Sequence, residues 1–212
     1  MENGIEVSRN NIPASIDVYK RALKAAPVTI IAIKYHDALL ASNDKVGAEK
    51  LAEAWIQNHP KDPEFRFHLS DLAIARDNFE IALKHLRAVI VLQPENAAAL
   101  NNAAWAMVKL GQPGAVRLAE QAVNLQPNTA GLMDTLAIAL AAENQLGRAR
   151  EVQKKAIEFA TPPNDQNLRL NLIKLHLQAG DKTAARAELQ TLEKLGTRFR
   201  NHAEVAGFLK TL

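Results

Sequence analysis

The chain has 212 residues, 48% hydrophobic and 23% charged, with a net charge of +3, an ordinary balance for a folded protein. No apolar run approaches the roughly 18 residues that cross a bilayer, and the opening "MENGIEVSRN" lacks the apolar stretch of a secretion signal. Cysteine is absent, so the chain offers no disulfide, thiolate metal site or lipid-accepting thiol; its compartment stays open.

Residues 1–10 read as a flexible segment. From Ile12, "IPASIDVYKRALKAAP" spaces its apolar residues three and four apart and reads as a lone second helix without its partner, which suggests a piece of a longer array. "TIIAIKYHDALLAS" then begins a series of paired helical runs, with no sustained alternation of two anywhere. Within each pair the break is polar or Gly-bearing: "SNDKVG", "ARDN", "LGQPG", "ENQLG", "AGDK". The first four pairs close at "NHPKDP", "LQPEN", "LQPNT" and "ATPPND", where Pro cannot continue a helix and Asn or Asp caps the next one. Five pairs follow, at about 29–60, 63–94, 97–127, 130–161 and 166–196. "NHAEVAGFLKTL" at 201–212 is a short amphipathic helix suited to cover the open face of the last pair.

Two markers keep one period. Ala48, Ala82, Ala115, Ala149 and Ala185 step by 34, 33, 34 and 36 residues, and Pro27, Pro60, Pro94 and Pro127 by 33, 34 and 33. A unit of about 34 residues is too small to bury a core by itself, so neighbouring pairs must stack on one another.

These residues resemble the tetratricopeptide repeat (TPR) family. "LNNAAWAMVKLG" leads to Ala115, Ala119, Ala122 and Pro127; "MDTLAIALAAEN" leads to Ala149 and Ala156; "RLNLIKLHLQAGD" leads to Ala185, Leu189 and Leu192. The pattern departs in two places. The third unit is one residue short near Pro113, and the fourth ends in Thr161 before Pro162. The resemblance covers about 11–196 and implies an all-α fold: a right-handed α-solenoid of about five hairpins with a leading orphan helix and a C-terminal cap. On this reading 11–212 is a single domain.

No catalytic or cofactor-binding pattern emerges. None of His36, His59, His68, His85, His176 and His202 pairs with another four residues away, and no His-Glu-x-x-His occurs, so no metal site is expected. His36 and His176 fall on faces that meet neighbouring helices. "AGDKTAAR" lacks the Gly-rich arc of a phosphate loop and reads as an interhelical turn, with Lys182 starting a helix. There is no Gly-x-Ser-x-Gly elbow. The chain is not expected to be an enzyme.

In TPR arrays the first helices line a concave groove for peptides or partner helices. The resemblance places Phe67, Asp71, Asn101, Asn102, Trp105, Asp134, Asn171 and Lys174 in that groove, with Ile30, Ile33 and Asp37 before them and Ile74, Thr135 and Ile138 among them. Asn can bond a peptide backbone in both senses, and Trp105 is either an interface anchor or a packing residue. Trp55, on a second helix, belongs to the core. The set that grips a C-terminal carboxylate in chaperone-binding members is not reproduced: Asn171 and Lys174 are present, but the Lys and Asn of the preceding unit are not.

The expectation is a non-catalytic scaffold for a protein or peptide partner, with membrane association only through an anchor outside this chain. Ile30, Ile31 and Ile33 could also take an upstream helix or a second copy. The run 96–160, through "NNAAW", "LAEQAV" and "DTL", is similar to the carboxyl-terminal part of bacterial TPR lipoproteins of the PEP-CTERM/exosortase sorting system, which accompany exopolysaccharide loci. That resemblance implies a lipid-anchored parent facing the cell envelope. Two alternatives stay open. One is the targeting arm of a larger enzyme. The other is an RNA-binding helical repeat, which needs basic groove positions where this chain has Asp71, Trp105, Asp134 and Ile138. From Arg148 onward there are 12 basic and 7 acidic residues, against 2 and 3 between Ala97 and Gly147. That basic end reads as solvated surface rather than a nucleic-acid footprint.

Overall fold

The structure, a computed structural model, describes residues 12–212; the segment 1–10 lies outside the described residues. Among the described residues there are twelve α-helices and no strand. A leading helix, α1 (Ile12–Ala25), is followed by five hairpins: α2 (Thr29–Ala41) with α3 (Lys45–Asn58), α4 (Pro63–Ile74) with α5 (Phe79–Leu92), and α6 (Ala97–Lys109) with α7 (Ala115–Leu125), then α8 (Ala130–Ala142) with α9 (Leu146–Phe159) and α10 (Asp165–Gln178) with α11 (Lys182–Glu193). A 3₁₀ turn (Gly196–Arg198) leads into α12 (His202–Thr211). The fold is an α-solenoid of TPR hairpins.

One turn chemistry, used five times, reverses the chain inside each hairpin. Asn43, Asp77, Gly111, Asn144 and Gly180 all take positive φ, between 54° and 76°. Only Gly, or Asn and Asp with their short polar side chains, adopt that conformation cheaply. The following residue's N–H then reaches back five residues: Asp44 to Leu39, Asn78 to Ala73, Gln112 to Met107, Gln145 to Leu140 and Asp181 to His176, at 2.8–2.9 Å. These are Schellman closures, which satisfy carbonyls left over at the end of the first helix. In three hairpins the same residue caps the second helix: Asp44 accepts from the Gly47 N–H, Asn78 from Ile81 and Asp181 from Ala184.

The third hairpin departs from this, and the sequence says why. Pro113 and the left-handed Gly114 (φ 91°) occupy the first turn, so α7 starts at Ala115 and has 11 residues, whereas α3, α5 and α9 have 14 each. The helix loses a turn but keeps the buried face of Ala115, Ala119 and Ala122.

The periodic alanines lie where helices approach most closely. Ala48, Ala82, Ala115, Ala149 and Ala185 are at most 3% exposed. The largest core cluster runs from Ala73 on α4 through Leu86, Leu140 and Ala149 to Leu175 on α10. A leucine at position 149 has no room there. Ala149→Leu should destabilise by about 1–3 kcal/mol through overpacking, read as a lower urea midpoint.

At either end a helix packs on the adjoining hairpin, α1 on α2 and α12 on α11. At the start, Ile33 packs with Leu23 of α1, Trp55 and Phe65. The apolar face expected at Ile30, Ile31 and Ile33 is therefore mostly covered, and only Ile30 of the three is exposed. Trp55 is buried as expected. Its indole Nε1–H donates to Asp62 Oδ2 (2.7 Å), which also accepts from Thr29 Oγ1 (2.9 Å), while Oδ1 caps α4 through the Glu64 and Phe65 N–H groups. One aspartate thus ties the first hairpin to the second. At the other end Val205 of α12 is buried against Leu170, Ile173, Leu189 and Phe199, with Phe208 and Leu209 packed beside them.

Candidate functional site

Stacking hairpins in register sets the first helices α2, α4, α6, α8 and α10 side by side; α2 packs on α4, α6 on α8 and α8 on α10. Side chains from four of them meet on one surface. Within it a cavity of about 440 Å³ is lined by Asp71 and Ile74 of α4, Asn101, Asn102 and Trp105 of α6, Asp134, Thr135 and Ile138 of α8, and Asn171 of α10. Six of the eight residues assigned to the groove from sequence meet here. The other two are engaged elsewhere. Phe67 packs against the main core, and Lys174 Nζ pairs with Glu204 Oε1 of α12 at 2.9 Å.

The polar groups of this surface cross-link neighbouring first helices. His68 Nε2 lies 3.1 Å from Asp37 Oδ1, Asn102 Nδ2 donates to Asp71 Oδ1 (3.2 Å), and Asn171 Nδ2 donates to both oxygens of Asp134 (2.9 and 3.1 Å). Three aspartates thus each meet a side chain of the next first helix. Burial pushes the Asp71 carboxyl above its ordinary pKa, with His68 and the Asn102 hydrogen bond acting against it.

Asp134 is the more committed of the two lining carboxylates. It also accepts from the fully buried Gln153 of α9 at 2.6 Å, and Gln153 Nε2 donates further to the Leu168 carbonyl (3.0 Å). Burial raises its pKa, with the Asn171 and Gln153 hydrogen bonds next in weight and opposing the shift. Gln153 joins α8, α9 and α10, a role that sequence reasoning missed because a glutamine on a second helix reads as surface.

Asp71, Asn101, Asn102 and Trp105 keep more freedom. Asn101 donates to Asn102 Oδ1 (3.2 Å), and its own Oδ1 is buried with no hydrogen-bond partner. Trp105 is half-buried, its indole face covered by Lys109 Nζ at 4.5 Å from the ring centroid.

At the α2–α4 junction the structure brings Asp37, placed in the groove from sequence, together with two histidines that were not assigned to it. His36, Asp37 and His68 converge, with His36 Nδ1 3.4 Å from His68 Nε2. His36 packs edge-on against Phe65, and its pKa is pushed down to about 4, chiefly by burial and next by His68. Searching for histidines four apart on one helix misses this pair, because its members stand 32 residues, nearly one repeat, apart. Repeat spacing is the signal that could have found it. His176 is also buried, as its position on the helix implied.

A tetratricopeptide repeat family model matches residues 67–115, from within α4 to the start of α7. No protein of curated function matches the sequence. Among solved structures, the chain is similar to YrrB, described as a TPR protein with an unusual peptide-binding site (16% identity, 93% of this chain and 100% of that one, TM-score 0.71). It is also similar to PilF of Pseudomonas aeruginosa (15% identity, 94% and 90%, TM-score 0.68) and to residues 41 to the end of MamA from Desulfovibrio magneticus RS-1 (16% identity, 88% and 95%, TM-score 0.64). At such identities the likeness is one of fold.

Proposed function

We propose that this solenoid is a non-catalytic scaffold that receives an extended peptide or a partner helix along its concave face. The observation that carries the reading is the cavity shared by α4, α6, α8 and α10, lined by side chains that can both donate and accept, beside a half-exposed tryptophan. Asn102 can exchange its bonds to Asp71 and Asn101 for backbone carbonyls and amides of a bound segment, and Trp105 offers the aromatic anchor that dominates many interfaces. Asp71 suits a basic side chain, and no Lys or Arg lines the cavity. That lining is unfavourable to a nucleic-acid backbone. YrrB, of the same fold, carries a peptide-binding site by its description, which supports a comparable use of the surface here.

The partner we favour belongs to envelope protein sorting alongside exopolysaccharide production. The support is the similarity of 96–160 to the TPR lipoproteins of the PEP-CTERM/exosortase system. Photo-crosslinkers placed at positions 101 and 105, followed by mass spectrometry, should capture a defined segment of an envelope protein. Trp105→Ala should weaken that complex by about thirtyfold, the effect of losing roughly 2 kcal/mol, and Asn101→Asp should weaken it further. Capture and affinity unchanged in the double variant would refute the groove reading, while purely cytosolic partners would refute only the envelope assignment.

A further inference from the structure

We propose that His36, Asp37 and His68 bind a divalent transition-metal ion of the zinc class, clamping α2 to α4. The three donor atoms form a triangle: His36 Nδ1 to His68 Nε2 is 3.4 Å, His68 Nε2 to Asp37 Oδ1 is 3.1 Å, and His36 Nδ1 to Asp37 Oδ1 is 4.0 Å. The point equidistant from these corners lies about 2.1 Å from each, within the range of zinc–nitrogen and zinc–oxygen bonds. Two ligands of a tetrahedral zinc ion stand about 3.3 Å apart; the two sides that meet at His68 Nε2, 3.4 and 3.1 Å, are near that spacing, and the half-exposed Asp37 side chain has to swing inward to shorten its 4.0 Å side to His36.

Ring orientation agrees with the distances. Two imidazoles aiming their nitrogens at one tetrahedral centre would hold their centroids about 5.2 Å apart; those of His36 and His68 are 5.4 Å apart, with the planes at 87°. Hydrogen bonding alone explains the cluster less well. The His36–His68 contact of 3.4 Å exceeds the usual reach of such a bond. His68 Nε2 also carries at most one proton to share between two acceptors.

The donor set selects the ion. Two imidazoles and one carboxylate suit zinc and its neighbours, whereas magnesium and calcium prefer oxygen alone. His36 is anchored in the core against Phe65, while the Asp37 side chain is 51% exposed and His68 16%, so an ion can approach from solvent and keep a fourth position for water. The field around the site is mixed. Arg76 acts on His36 as an opposing cation, and the Asp71 carboxylate lies near enough to His68 to feel its charge. None of this is visible as a metal motif along one helix, which is why helix-internal spacing led to the expectation of no site.

Titration of the chelator-stripped 212-residue chain with Zn²⁺ in a calorimeter should show one strong site per chain, and Co²⁺ should give the visible absorption of a four-coordinate ion. Asp37→Asn and His68→Gln should each weaken Zn²⁺ at least tenfold and abolish the cobalt bands, while His85→Gln and His202→Gln leave both intact. Should His68→Gln lose helical signal without metal, Asp37→Asn decides, because that side chain stands half in solvent. Long-range ¹H–¹⁵N spectra should show His36 Nδ1 and His68 Nε2 shifting on Zn²⁺ addition. Unshifted ring nitrogens, or zinc affinity indifferent to Asp37→Asn, would overturn the assignment.

Discussion

Phe65→Ala should remove about 3–5 kcal/mol of stability, with the damage confined to one end of the rod. Phe65 is fully buried between Ala32 of α2 and Trp55 of α3, its ring centroid 5.9 Å from those of Trp55 and His36. Truncation leaves a cavity whose walls are held by separate helices, so collapse fills it only in part. In a solenoid each unit touches only its neighbours, and stability is close to a sum of unit and interface contributions. Hydrogen exchange should therefore accelerate about a hundredfold or more in α2–α5, where sub-global opening becomes easier, and stay near its parental rate in α9–α12. Equal acceleration along all helices would contradict nearest-neighbour stability.

Leu140→Ala, at the centre, should cost about 2–5 kcal/mol and have a different signature. Leu140 is fully buried on α8 in the cluster that runs from α4 to α10, and α8 packs on α6, α7, α9 and α10. Weakening that junction uncouples the two sides, since cooperativity between them passes through this interface. Both tryptophans, Trp55 and Trp105, lie on the N-terminal side, whereas circular dichroism reports every helix. Urea curves from fluorescence and dichroism should coincide for the parent and separate in the variant, the mark of a transition that is no longer two-state. Coincident curves at a lower midpoint would mean that the array still melts as one body.

Phe65 and Leu140 also show how unevenly the molecule can be read from its residues. The helices, their pairing and their turns follow from features that act within a turn or two of chain. Asn43 and Gly180 end first helices through their left-handed conformation, Asp44 and Asp181 cap the next ones, and Ala48 and Ala149 mark close contacts by lacking a larger side chain. Such effects are local, so residue order carries them, and a 34-residue period repeats the message often enough to be unmistakable.

The groove is legible to a lesser depth. Repeat register brought Asp71, Asn101, Asn102, Trp105, Asp134 and Asn171 to one cavity, but it could not tell which of them are already engaged by neighbours. Asn102 reaches an aspartate 31 residues away and Asn171 one 37 residues away, and Lys174 turns to Glu204 of α12. The meeting of His36 with His68, and of Gln153 with Asp134, is of the same kind. Those partnerships depend on the rotation and offset between stacked helices, set by how bulky and small side chains interlock across the interface. A shift of an ångström or two there changes which donors meet which acceptors while leaving every helix, turn and period as it was.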